Sequence, residues 1–229
     1  MNNIPQHIAF IADGNRRWSA DRGYAVGYDA GYHALSRVSK AVFAAGVPIM
    51  SVFVFSTENW NRPLVQVEYL FSLFEKALRY EIDQVHENKI RLRFIGDRSK
   101  FSGVLLRLIE RAERVTESFS DHTLIIAMDY SGRDDIVEAT RKIARKVQQG
   151  ELSVEQIDES VVESCLYTKD IPPPDLLVRT TEQRLSNFLL WQSAYTEIRF
   201  VEKFWPDMTE EDVRNLLWLY ANTNRTHGR

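Results

Sequence analysis

Five short runs of β-branched and apolar residues constrain this chain more than any other feature: Ile8–Ala12, Ile49–Phe55, Ile90–Ile95, Thr123–Met128 and Leu176–Arg179. Each is too short for a typical helix and reads as a buried strand. Between them lie longer segments with apolar residues three and four apart, such as Leu70, Phe71, Phe74, Ala77, Leu78, Ile82 and Val85, the spacing of a helix facing a core. Strand and helix in alternation predict βαβ units, hence an α/β fold: a mostly parallel central sheet of about six strands with helices on both faces. The 44% hydrophobic content supplies a sizeable core, and residues 1–229 are expected to form a single domain. Ile171-Pro172-Pro173-Pro174 is a rigid connector into a strand, because the alternation continues after it.

Charged residues make up 27% of the chain but nearly cancel at net −3, so no bulk field draws in nucleic acid and any anion site must be local. The single Cys165 excludes an internal disulfide and, without a ligand cluster, a zinc site. Residues Met1–Phe10 lack the pattern of a secretory signal, and no apolar stretch approaches the roughly 18 residues of a membrane span. A soluble, cytoplasmic protein with at most peripheral membrane contact is expected. The helix expected over Val65–His86 carries Tyr69, Phe71, Phe74 and Tyr80, which either pack the core or wall an apolar cavity.

Ligands of a doubly wound sheet bind at the carboxyl ends of its strands. The first such end carries Asp13-Gly14-Asn15-Arg16-Arg17-Trp18, where an Asp can hold Mg²⁺, Gly permits close backbone approach, and Asn and Arg donate to phosphate oxygens. The same residues also read as an Asp-Gly turn that caps a helix. The second end carries Ser56-Thr57-Glu58-Asn59-Trp60-Asn61-Arg62-Pro63, either a grip on a polar substrate or a capped helix start. After the last strand, Arg179 and Arg184 flank Glu182, with Ser186 at an expected helix start and Glu197 beyond that helix. Two arginines and a helix start suit a second anion. Glu197 reads as a further Mg²⁺ ligand or as a surface charge.

Asp13-Gly14-Asn15 with Arg17-Trp18, the stretch Phe55–Pro63, Tyr130-Ser131-Gly132-Arg133, the stretch Glu182–Gln192 and Trp205-Pro206-Asp207 resemble, in order, the motifs of the cis-prenyltransferase (undecaprenyl diphosphate synthase) family. The resemblance runs from His7 to Gly228. It implies a homodimer of a parallel-sheet α/β fold, an apolar tunnel for the growing chain, and Mg²⁺-dependent condensation of an allylic prenyl diphosphate with a second five-carbon diphosphate. By resemblance, Asp13 binds Mg²⁺, with Gly14, Asn15, Arg16, Arg17 and Trp18 around the allylic diphosphate. Asn59, Trp60 and Arg62 orient substrate, and Asn59, Ser56 or a diphosphate oxygen accepts the proton. Arg179, Arg184 and Ser186 hold the second diphosphate, and Glu197 partners Asp13 at the metal.

Three departures bear on specificity. The segment Gly23–Gly31 lacks the family's usual Arg and has Tyr28 in place of His. Arg179-Thr180-Thr181-Glu182-Gln183-Arg184 is one residue shorter than the usual loop and lacks its glycines, so Thr181 lacks their backbone freedom. Val54 stands where long-chain members often have Ala, and predicts a product of about ten to twenty carbons. Lavandulyl-type relatives, which couple two allylic diphosphates head-to-middle, are the alternative. Non-catalytic scaffold subunits usually lose the motif aspartate, which is present here.

Overall fold

The computed structural model describes residues 3–223. The final residues of the family resemblance, 224–228, lie outside them. Six strands form one sheet: β1 (His7–Ile11), β2 (Ile49–Ser56), β3 (Ile90–Ile95), β4 (His122–Tyr130), β5 (Leu176–Thr180) and β6 (Glu197–Val201), in the order β3-β4-β2-β1-β5-β6. Every pairing is parallel. Eight helices connect or flank them: α1 (Asn15–Trp18), α2 (Tyr24–Ala44), α3 (Leu64–Tyr80), α4 (Ile82–Glu87), α5 (Gly103–Thr116), α6 (Gly132–Gln148), α7 (Glu159–Cys165) and α8 (Glu210–Asn222).

The strand-end residues follow the period-2 pleat. Ile8, Phe10, Met50, Val52, Leu176 and Val178 pack on one face with α2, α3, α5 and α8, while Ala9, Ile11, Phe53, Ile125 and Leu177 pack on the other. That second face is closed by Phe188 and Leu189, and α6 and α7 share a smaller cluster of their own. Strand order reverses at β1: the chain places β2, then β3 at the edge and β4 between them on one side, and then returns to add β5 and β6 on the other. The crevice beyond the carboxyl ends of β1 and β5 is therefore the topological switch point, where α/β sheets bind ligands.

Three expectations need correction. The Val65–His86 helix is divided at Glu81 into α3 and α4, and Tyr80 is 74% exposed, so it faces solvent and walls no cavity. No helix follows Ser186. Residues 181–196 are turns, because Thr181, Ser186, Asn187 and Leu189 all take positive φ, which a right-handed helix excludes. The sixth strand begins at Glu197 itself; only partly buried along its length, it lacks the apolar run that marks the other five.

Candidate active site

Asp13 follows β1 directly, and its backbone is tied to β5: its N–H donates to Thr180 Oγ1 at 2.9 Å, and that hydroxyl donates to the Asp13 carbonyl at 2.8 Å. Gly14 has φ 100 and N-caps α1; a Cβ there would meet Phe204 at 2.5 Å, so only glycine lets the turn close beneath the carboxylate. The Gly14 N–H donates to Asp13 Oδ1 at 2.6 Å, while Oδ2 pairs with Arg179 at 2.9 Å and Arg17 at 3.1 Å. Burial opposes the charge on Asp13, but the Arg179 hydrogen bond and the fields of Arg17 and Arg179 prevail and hold its carboxyl below the usual carboxylate range.

Arg179, the fourth residue of β5, is 2% exposed. Its Nη1 donates to Ser186 Oγ and the Arg184 carbonyl, and its Nη2 to Asp13 Oδ2 and Glu182 Oε2, both at 2.9 Å. Ser186 adopts φ 46, which turns its hydroxyl back onto the guanidinium, and Arg184 Nε also donates to it at 3.3 Å. Asn187 fixes the far side of this loop, donating to Ser131 Oγ at 2.8 Å and accepting from the N–H groups of Gly132 and Arg133 at the start of α6.

The Ser56-to-Arg62 stretch completes the chamber. Ser56 caps a 3₁₀ turn over Thr57–Asn61 as a capping box: its hydroxyl accepts from the Asn59 N–H, and Asn59 Oδ1 accepts from the Ser56 N–H at 3.3 Å. The Asn59 oxygen is thereby committed, and its amide donors remain for a ligand. Arg62 lies beside Tyr28, with Nη1 3.3 Å from the hydroxyl, and burial lowers its guanidinium from the ordinary arginine value.

Asp13, Gly14, Asn15, Arg16, Arg17, Ser56, Asn59, Arg62, Arg179, Arg184 and Ser186 all line one polar cavity of about 720 Å³. It adjoins a second, apolar cavity of about 480 Å³ between α2, α3 and strands β2, β3 and β4. Ala12, Asn15, Tyr28, Val54 and Leu70 line both.

Three expected site residues lie elsewhere. Trp18 donates from Nε1 to Asp207 at 2.7 Å and carries Arg22 over its ring, a brace between α1 and the turn before α8. Trp60 packs edge-on to Phe55 and against Phe71, and so supports the loop without lining the polar cavity. Glu197 opens β6 at the register position of Leu176, three residues before the partner of Arg179, or roughly 10 Å along the strand at about 3.3 Å per residue. It contacts Arg199 and Thr223 there, and the structure does not bring it to Asp13. Sequence reasoning passed over Glu182 as a site residue. Its carboxylate meets Arg17 at 3.2 Å, Arg179 at 2.9 Å and Arg184. Its position between two arginines in the chain was the available signal.

The family model of undecaprenyl diphosphate synthases matches residues 11–228. The chain belongs to this prenyltransferase family. Dehydrodolichyl diphosphate synthase 2 of Arabidopsis thaliana is 43% identical over 98% of this chain and 74% of its own length. A farnesyl-diphosphate-specific undecaprenyl diphosphate synthase of Pasteurella multocida is 41% identical over 99% of this chain and 96% of its own. Among solved structures, lavandulyl diphosphate synthase from Lavandula x intermedia, in complex with dimethylallyl diphosphate, superposes with a TM-score of 0.95 at 35% identity over 99% of both chains. No helix among the described residues of this prenyltransferase is long and apolar enough to cross a membrane.

Proposed function

We propose that this prenyltransferase is a cytoplasmic, homodimeric enzyme that condenses an allylic diphosphate (dimethylallyl, geranyl or farnesyl) with isopentenyl diphosphate to a short cis-prenyl diphosphate, with Mg²⁺ as cofactor. The observation that carries the reading is the paired cavity: an arginine-lined polar chamber and an apolar one lie side by side and share five lining residues. An amphipathic prenyl diphosphate needs both environments at once.

Asp13 is the residue that would hold Mg²⁺. Among the described residues no three His, Cys, Asp or Glu side chains converge, so one carboxylate completed by diphosphate oxygens is the fitting arrangement, as this ion is commonly bound. Bound there, it would neutralise charge developing on the departing diphosphate. Arg17, Arg62, Arg179 and Arg184 stabilise the same charge from the protein side. As the allylic carbon–oxygen bond breaks, the double bond of the second substrate attacks that carbon, and the proton it then sheds passes to a diphosphate oxygen, directly or through the Ser56 hydroxyl, which gives up its own proton as it takes this one. Asn59, its oxygen already bonded, orients substrate through its amide donors. Tyr195, Phe200, Trp218 and Leu219, on and beside β6 and α8, are exposed apolar side chains that a second copy would cover.

A second reading, head-to-middle coupling of two allylic diphosphates, is supported by the backbone match to lavandulyl diphosphate synthase, by Tyr28 on α2 in the place of the usual His, and by the shortened loop at Thr181. Product analysis by mass spectrometry and NMR separates the two. Purified protein with Mg²⁺ and each allylic diphosphate, with and without isopentenyl diphosphate, is expected to yield a linear cis product only when isopentenyl diphosphate is present. A branched product from allylic diphosphates alone establishes the second reading, and no product under any combination points to a scaffold subunit.

A further inference from the structure

The terminal donors of Arg179 are already spent. A guanidinium has four terminal N–H groups, and here all four are bonded, to Asp13, Glu182, Ser186 and the Arg184 carbonyl. A diphosphate oxygen reaches the terminal nitrogens of this residue only by displacing one of these acceptors. Three of them are fixed. Ser186 and the Arg184 carbonyl belong to the loop that frames the site, and Asp13 is pinned by the Gly14 N–H and by two bonds to Thr180. Glu182 is different. The contacts of its carboxylate are the guanidiniums of Arg17, Arg179 and Arg184, so one side-chain anion occupies the focus of three cations.

The backbone beneath Glu182 is strained in the same state. The Glu182 N–H donates to the Thr180 carbonyl at 2.9 Å across a three-residue turn whose central Thr181 has φ 68. A β-branched residue in the left-handed region is a true outlier, and three-residue turns of this hand are rare and strained. The ion pairs hold the turn in place, and leaving them relieves it. The Glu182 side chain is 28% exposed against 3% for Arg179, so the occupant has a way out and the cation beneath it does not.

We infer that Glu182 is a displaceable internal anion that holds the second-diphosphate subsite in the ligand-free enzyme and sets its selectivity for diphosphate over singly phosphorylated anions. The inference rests on the diphosphate reading of this chamber. A diphosphate bridges several guanidiniums at once and outcompetes one carboxylate; orthophosphate has fewer oxygens and less charge to offer in exchange. Glu182 is thus a specificity-determining residue for the reaction.

The test is calorimetric titration of the purified full chain with inorganic diphosphate and with orthophosphate, in chelator and without metal, for wild type and Glu182→Gln. Glutamine keeps the size and removes the charge. The variant is expected to bind diphosphate about tenfold tighter and to narrow the diphosphate-to-phosphate affinity ratio, while its ligand-free melting temperature falls. Equal or weaker diphosphate binding by Glu182→Gln, with wild type binding normally, overturns the inference and makes Glu182 a structural support of the arginines. No binding by either protein refutes instead the reading of the chamber itself. Should Glu182→Gln fail to fold, Glu182→Asp, which keeps the charge but shortens its reach, is expected to tighten diphosphate binding by a smaller factor; unchanged or weaker binding there is equally fatal.

Discussion

Replacing Arg179 by lysine separates charge from geometry at the centre of this site. Lysine keeps the positive charge that neutralises Asp13 and Glu182, but it offers three donors on one nitrogen where arginine spreads four terminal donors over two. One atom cannot serve Asp13 and Glu182 on one side and Ser186 and the Arg184 carbonyl on the other. Two charge-assisted bonds are therefore lost at about 1.5 kcal/mol each, about 3 kcal/mol together. If those bonds bear on the transition state, kcat/KM falls by about a hundredfold. The same bonds tie the loop down in the ligand-free enzyme, so a stability loss of up to about 3 kcal/mol is expected, a fall in Tm of roughly 6–12 °C. Steady-state kinetics paired with thermal melting reads both. A kcat/KM within threefold of wild type, with Tm preserved, would refute the argument that the forked geometry is used; loss of cooperative melting would show that Arg179 serves the fold first.

Other consequences can be checked alongside. Gly31→Ala would place a Cβ 2.4 Å from Asn15 Oδ1, and such overpacking costs about 1–3 kcal/mol; KM for the allylic substrate should rise, and unchanged kinetics would show that Asn15 does not guide it. Val54→Ala removes bulk where the two cavities share their lining and should lengthen the product by mass spectrometry, whereas an unchanged length distribution removes Val54 as a determinant. His7 is buried at the start of β1 against Ser51 and the Pro172 carbonyl, and burial lowers its pKa from 6.5 to about 4. Between those values the unfolded chain binds the extra proton, so stability is full above pH 6.5 and declines as pH falls towards 4, by on the order of 3 kcal/mol. Urea unfolding at a series of pH values should show this slope, and His7→Gln should flatten it.

The first five strands were legible because parallel strands buried on both faces leave uninterrupted apolar runs; each observed strand lies within two residues of the run that foretold it. The sixth was not. Glu197-Ile198-Arg199-Phe200-Val201 lies at the sheet edge with its residues only partly buried or exposed, and charge interrupts any run. The resemblance put Glu197 beside Asp13 at the metal, whereas within this chain the parallel register fixes it at the start of the edge strand. Asp13, Arg17, Arg62 and Arg179 meet in one cavity because strand ends in this topology converge. Trp18 and Trp60 were misread because an aromatic within a polar motif is equally suited to bracing it.

Glu182 shows why the remainder required coordinates. In sequence a glutamate three residues after one arginine and two before another is an ordinary local ion pair, worth little if solvated. Folding changes its meaning by adding Arg17, delivered from the end of β1 more than 160 residues earlier, on the opposite side of the crevice. A carboxylate within one loop then bridges both halves of the switch point. The same juxtaposition that makes the crevice attractive to diphosphate makes it attractive to any anion of the chain, and an enzyme with so many arginines around one small chamber must either tolerate their mutual repulsion or supply a temporary counter-charge. Within the ion-paired cluster, Asp13 alone leaves Arg17, Arg179 and Arg184 against one carboxylate; Glu182 brings the cluster to three against two, while Arg16 and Arg62 keep the chamber cationic towards an entering diphosphate.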